Sequence, residues 1–214
     1  MNNMKSEIKI KILNDYNKKT VAEIVEIHLS TFKGFFLTFM GSGFLHQMYS
    51  SYLLHSKSGI IIAEDESRVI GFLAYSTDMS GLYKYMIKHR LPQFAWYSIG
   101  AFFRKPGAFM RLLRAFLKPG EAKRDVEYVE LASIGVNPLC KSGGIGSKLI
   151  DALKETINFD KYEYITLETD AVNNDSVNNF YLKNGFTLVR EYETHEGRRM
   201  NEYRFERSNL CSKE

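Results

Sequence analysis

Apolar and polar positions alternate at the start of the chain, with Ile8, Ile10 and Ile12 set against Lys9 and Lys11. A period of two places the isoleucines on one face, so residues 8–13 are predicted to form a half-buried strand. The period then changes. After Thr20, a candidate N-cap, Val21, Ile24, Val25, His28 and Leu29 recur at helical spacing. Gly34 and the Gly41-Ser42-Gly43 cluster interrupt the pattern, and residues 44–54 read as a second helix. Two β-rich apolar runs, 60–63 and 69–75, flank Asp65-Glu66-Ser67 and predict a hairpin. The next stretch is punctuated by Pro92, Pro106 and Pro119, which divide it into three helical pieces at 82–90, 93–103 and 107–117.

The second half of the chain is more regular. Residues 128–136 read as a strand ended by Asn137-Pro138. A glycine-rich turn then opens an amphipathic helix with Ile145, Leu149, Ile150, Leu153 and Ile157 on one face. Residues 164–169 form another strand, and 175–184 a helix stopped by Gly185. A closing hairpin, 186–193 and 198–205, turns about Glu196-Gly197. Strand, crossover helix, strand, helix, strand implies an α/β sheet that is parallel at least here. With no repeat, low-complexity tract or linker to cut it, the chain is expected to be a single domain, 1–214, with a helical insertion around 77–125.

Composition adds limits. The chain is 44% hydrophobic and 25% charged, enough for a sizeable core. Two cysteines, Cys140 and Cys211, exclude a disulfide framework and an all-cysteine metal site. A cytoplasmic location is expected, with no signal-peptide core and no transmembrane run. The net charge of +4 is too small to imply nucleic acid, but its distribution is uneven. From Gly81 to Arg124 there are ten basic residues and one acid, Glu121, leaving 19 basic against 24 acidic elsewhere. That concentration points to an anionic partner near the segment.

Two motifs carry chemistry. The first is Val136-Asn137-Pro138-Leu139-Cys140-Lys141-Ser142-Gly143-Gly144-Ile145-Gly146-Ser147. A strand running through glycines into a helix turns backbone N–H groups inward at a positive helix end, a cradle for phosphate or pyrophosphate. The glycine spacing is neither that of a P-loop nor of a Rossmann turn. The second motif runs from Asn174 through Tyr181 to Gly185-Phe186. Each has a plain alternative: a strand-to-helix connection for the first, a capped short helix for the second.

Taken in order, the two motifs resemble the GNAT superfamily of acyl-CoA-dependent N-acyltransferases. Lys141, Gly144 and Gly146 stand where that family has Gln/Arg-x-x-Gly-x-Gly/Ala. Asn174, Tyr181 and Gly185-Phe186 match its later signature, and Val136-Asn137-Pro138 its approach to the loop. Lys141 departs from Gln or Arg, keeping charge but losing the planar fork. The resemblance spans about 128–205 and implies a mixed, centrally splayed sheet flanked by helices. It implies acetyl-CoA as co-substrate, no metal, and an amine as acceptor. In such a site the pantetheine arm pairs with backbone around Ile134 and Val136. The Val136 N–H is a candidate oxyanion donor, and amides of Ser142, Gly143, Gly144, Ile145, Gly146 and Ser147 hold the pyrophosphate. Asn174 contacts the cofactor or fixes the local backbone, and Tyr181 is the candidate acid. Its phenol, with an ordinary pKa near 10, is protonated at neutral pH.

Glu130 is the candidate general base. Strict alternation would put it on one face with Ala132, Ile134 and Val136, aimed at the cleft; an ordinary strand-edge carboxylate is the alternative. Glu127 and Glu168 are weaker candidates. His28, His46, His55, His89 and His195 show no ligand spacing and read as structural or surface residues. Cys140 lacks a partner histidine. The basic stretch is open to three readings: a solvated insertion, a lid recognising an anionic acceptor such as a nucleotide-linked amino sugar, or a membrane-surface helix around 81–124. The leading expectation is N-acetylation of a small-molecule amine. The alternatives are protein lysine or N-terminal acetylation, or a coenzyme A-binding regulatory module without catalysis.

Overall fold

The computed structural model describes residues 7–104, 106–107, 126–140, 143–194 and 197–206. The period-two opening becomes strand β1 (Lys9–Leu13), antiparallel to β2 (Ser58–Asp65). β2 turns into β3 (Arg68–Ser76) through Glu66 and Ser67, both at positive φ (48° and 68°). Successive left-handed residues match the twist of a tight hairpin. Between β1 and β2 lie α1 (Lys18–Thr31), α2 (Phe36–Met40) and α3 (Ser42–Leu54). Helix α1 starts at Asn17, whose side chain accepts from the N–H groups of Lys19 and Thr20 at 2.9 and 3.1 Å, so Thr20 is not the cap. Apolar periodicity marks only the buried face, which begins after the first residues of the helix.

Helix α4 (Met79–Arg104) is one 26-residue element where the sequence predicted two. Pro92 sits inside it. A proline in mid-helix removes a hydrogen bond and costs about 3 kcal/mol. Burial of Leu82, Met86 and Phe94 on either side offsets that cost, since each fully buried large apolar side chain contributes about 1.5–3 kcal/mol. The third predicted piece, 107–117, lies outside the described residues apart from Gly107.

The chain continues through β4 (Tyr128–Val136), α5 (Ile145–Thr156), β5 (Tyr164–Asp170), α6 (Asp175–Lys183), β6 (Thr187–Glu193) and β7 (Arg199–Glu206). The seven strands form one mixed sheet in the order β1-β2-β3-β4-β5-β7-β6. Among the described residues, one pair, β4 and β5, is parallel; β7 enters antiparallel between β5 and β6. The parallel character expected for this half therefore stops at a single pair. Alternate residues of the central strands feed two cores. Ile60, Ile62, Phe72 and Ala74 pack with α1, α3 and α4 on one face. Ile61, Ala63, Leu73, Val129, Leu131, Ile165 and Leu167 pack with α5 and α6 on the other.

Candidate active site

The sheet opens at its centre. β4 and β5 pair at Tyr128–Tyr164, Val129–Ile165 and Glu130–Thr166, and the ladder then ends although β4 runs on to Val136 and β5 to Asp170. Backbone directions alternate residue by residue along a strand. The Asn137 N–H donates to the Ile70 carbonyl of β3 at 2.8 Å. Hence the N–H groups of Ile134 and Val136 turn away from β3, into the gap. The Val136 carbonyl accepts from the Thr31 hydroxyl of α1 at 3.1 Å, which ties that helix to the rim.

A bulge changes the faces of β4. Ala74 pairs with Ser133 but Tyr75 with Leu131, so Ala132 is an extra residue. Ile134 and Val136 accordingly point to the α5–α6 core. Ser133 and Gly135 point the other way: Ser133 Oγ lies 3.3 Å from the Tyr49 hydroxyl, and a Cβ on Gly135 would meet the Phe72 ring at 2.9 Å. The expectation that Glu130 shares a face with Ile134 and Val136 is therefore corrected. Glu130, two residues from the α5–α6-facing Val129–Leu131 pattern's break, lies on the α1–α3–α4 side. There its charge helps raise the pKa of the buried Tyr52 phenol, after burial itself.

The glycine loop meets the gap at the start of α5. Gly144 is the N-cap at φ 89°, ψ −2°, a left-handed conformation that favours glycine, and no side chain there caps the first turn. A Cβ on Gly143 would meet nothing within 4 Å. One on Gly146 would sit 3.0 Å from the Phe180 ring, so the bare backbone at Gly146 also serves α5–α6 packing. Lys141 and Ser142 lie outside the described residues. Cys140 is a free thiol, its N–H donating to the Asn137 carbonyl at 2.9 Å.

Helix α6 brings the second motif alongside. Tyr181 is 6% exposed, with its ring 5.9 Å from those of both Phe186 and Tyr203. Burial pushes its phenol pKa well above the ordinary value, so the proton is held throughout the neutral range. Asn174 ties the end of β5 to the start of α6, its Nδ2 donating to Thr169 Oγ1 at 2.8 Å and to the Asp170 carbonyl at 3.1 Å. Asn178, which the sequence reading passed over, does more. Its Nδ2 donates to the carbonyls of Asp170 and Asn174, and its Oδ1 accepts from Asn201 and the Tyr203 hydroxyl. Three of these four bonds tie α6 to β5 and β7, and the fourth closes the first turn of the helix. Asn178→Ala is expected to cost about 2–3 kcal/mol in urea unfolding, because it strands several half-buried polar groups. An unchanged midpoint would show that water replaces them.

Other polar groups gather on the opposite side of the sheet. His28 is buried, with Nδ1 2.7 Å from the Tyr49 hydroxyl, so Ser133, Tyr49 and His28 form one chain from the gap into the core. Burial lowers the His28 pKa to about 4, so the imidazole is neutral at pH 7. Glu202 of β7 is almost fully buried between Arg190 and Arg204, at 2.8 and 2.9 Å. Glu168 accepts from the Tyr192 hydroxyl at 2.6 Å, while Glu127 is exposed before β4. His46, His55 and His89 lie on the α3–α4 side, and His195 is outside the described residues. The contacts of His28 with Tyr49 and of Tyr49 with Ser133 join elements distant in the chain, so no spacing signal could have revealed them. Among the described residues, no cluster of three or more His, Cys, Asp or Glu could hold a metal ion.

A family model described as the acetyltransferase (GNAT) family matches residues 21–186. The match takes in most of the chain, and the chain belongs to that family: it is an acyltransferase. Several solved structures share its fold. One is a protein assigned to the GNAT acetyltransferases from Desulfovibrio desulfuricans, with TM-score 0.61 and 14% identity over 94% of this chain and 99% of that one. Another is the ribosomal-protein-S18-alanine N-acetyltransferase of Escherichia coli, at 0.56 and 12% over 94% of each chain. A third is yncA of Salmonella typhimurium, with its cofactor acetyl-CoA, at 0.54 and 13% over 93% of each. Identities this low carry the fold alone. No curated protein matches the chain. No helix among the described residues is long and apolar enough to cross a membrane.

Proposed function

We propose that the chain is a single-domain N-acetyltransferase that passes an acetyl group from acetyl-CoA to an amine of a small molecule. The observation that carries this reading is the gap between β4 and β5, with unpaired N–H groups of Ile134 and Val136 on its edge and an uncapped helix start beside it. The gap offers hydrogen-bond donors to an amide-bearing arm, and the residues from Gly143 to Ser147 offer N–H groups and a positive helix end to a pyrophosphate. Lys141 and Ser142 complete that loop in the sequence. Acetyl-CoA, when bound, supplies the acetyl group as an activated thioester.

The chain's own residues divide the remaining work. The Val136 N–H donates to the carbonyl oxygen of the group in transfer, where negative charge develops. Glu130 takes a proton from the incoming amine, directly or through water, on the α1–α3–α4 side. Tyr181 gives a proton to the departing sulfur from the other side. A buried phenol that keeps its proton suits that task. Asn174 and Asn178 hold the helix that carries it. The acceptor then enters from the side bearing Glu130, Ser133 and Tyr52.

Incubating the protein with acetyl-CoA and a panel of amines, including amino sugars, polyamines and short peptides, tests the reading. Free thiol should appear with at least one small amine. Thiol release with peptides alone would replace the small-molecule acceptor by a protein one, and release with none would reduce the chain to a coenzyme A-binding module. Glu130→Gln should slow the reaction, and its deficit should shrink as pH rises and more of the amine is neutral on arrival. A deficit equal at every pH would remove Glu130 from the role of base.

A further inference from the structure

We propose that the outer face of α4 is a contact surface for an anionic lipid bilayer, with the helix lying in the plane of the headgroups. The inference does not rest on the acetyl-transfer reading. Helix α4 has two unlike faces. Leu82, Met86, Phe94 and Ser98 are buried, with the Phe94 and Phe44 rings 4.8 Å apart where α4 crosses α3. Across the helix, Trp96, Ile99 and Phe103 recur at i, i+3 and i+7 and are 72%, 47% and 79% exposed. At 3.6 residues per turn they fall within a sector of about 60°, on the far side of the helix from Phe94 and Ser98. Leu91 and Tyr97 lie exposed to either side. Single exposed apolar residues are ordinary on soluble proteins, but a row of three large ones on one helix face is not.

Charge identifies the occupant. Helix α4 contains no Asp or Glu; it carries Lys84, Lys88 and Arg104, with Arg90 turned to Gln47 of α3, and the ten-to-one excess of basic residues continues to Arg124. Aromatic and aliphatic side chains in a row, flanked by cations and free of acids, match an interface that is apolar within and negative at its surface. Tryptophan in particular favours the headgroup level. The row is also a convex ridge on one helix, which a deformable bilayer surrounds more readily than a folded protein does. The helix is too polar to span the bilayer. It begins three residues after Ser76, which pairs with Glu130, so a docked enzyme would hold its proposed acceptor side near the headgroups.

Trp96 is the only tryptophan in the chain, so its emission reports on the ridge itself. The full chain should be mixed with vesicles of phosphatidylcholine alone or with phosphatidylglycerol added. The expected result is a shift of emission to shorter wavelength and co-sedimentation with the anionic vesicles only, both weakened by salt. A double variant, Ile99→Ser with Phe103→Ser, should lose vesicle affinity about tenfold or more, because two apolar side chains no longer enter the interface. Both positions are exposed, so its far-ultraviolet circular dichroism should match the parent. Unshifted emission with anionic vesicles overturns the proposal. So does short-wavelength emission before vesicles are added, which would mean that the chain itself or a second copy covers the ridge. Undiminished binding by the double variant overturns it as well.

Discussion

Gly143→Asp is expected to weaken acetyl-CoA binding by about 10²-fold or more while leaving the fold intact. Gly143 is the right position for this test. Its Cβ would enter open space, and its backbone is not in the left-handed region. Gly144 would be strained by any side chain at φ 89°, and a side chain on Gly146 would press on the Phe180 ring, so losses there would mix folding with binding. An aspartate at 143 places a carboxylate where a pyrophosphate is proposed to sit. Like charges about 5 Å apart at a protein surface repel by about 3 kcal/mol, which corresponds to somewhat more than two decades in affinity. Calorimetric titration of acetyl-CoA into the variant reads the effect. Parental affinity in a folded variant would move the pyrophosphate elsewhere.

Tyr181→Phe is expected to lower turnover by about 10²-fold, the usual scale for losing a positioned acid. Its ring packs on Phe186 and Tyr203, and phenylalanine preserves that packing, so stability and acetyl-CoA affinity should change little. The pH dependence has a definite sign. Burial raises the phenol pKa, so the parent keeps its acid at alkaline pH, and no fall in rate assignable to Tyr181 should appear below about pH 10. Steady-state rates for both proteins across that range decide the matter. Near-parental turnover would leave Tyr181 as a packing residue.

Much of the fold is legible in the sequence because burial imposes periods on it. The isoleucines of β2 and the row from Ile145 to Ile157 mark their elements and their faces. Local rules fail where tertiary packing outweighs them. Pro92 reads as a break, yet the buried residues of α4 carry the helix through it. Thr20 reads as a cap because the apolar pattern begins after it, while Asn17 forms the cap. The insertion of β7 between β5 and β6 depends on which edges are free after folding, and no local pattern encodes it.

The candidate site is legible in part. Glycines announce the loop, and the spacing from Asn174 to Tyr181 announces the helix beside it. The bulge at Ala132 is silent: nothing in Leu131-Ala132-Ser133 distinguishes it from a regular strand, yet it reverses the face on which Glu130 stands relative to Ile134. The chain of Ser133, Tyr49 and His28 is equally silent, since it links residues 84 and 21 positions apart.

Acetyl-CoA is proposed to lie in the gap between β4 and β5 with its pyrophosphate at the start of α5. Amide hydrogen exchange of the full chain, with and without acetyl-CoA, tests this placement most directly. Ile134 and Val136 turn their N–H groups into the gap without a ladder partner, and the first N–H groups of α5 lack a side-chain cap. Acetyl-CoA is expected to slow exchange in residues 131–136 and 143–147, with little change in β1, β2 or α3. Slowing confined to other elements, or none at all at saturating acetyl-CoA, would contradict that placement.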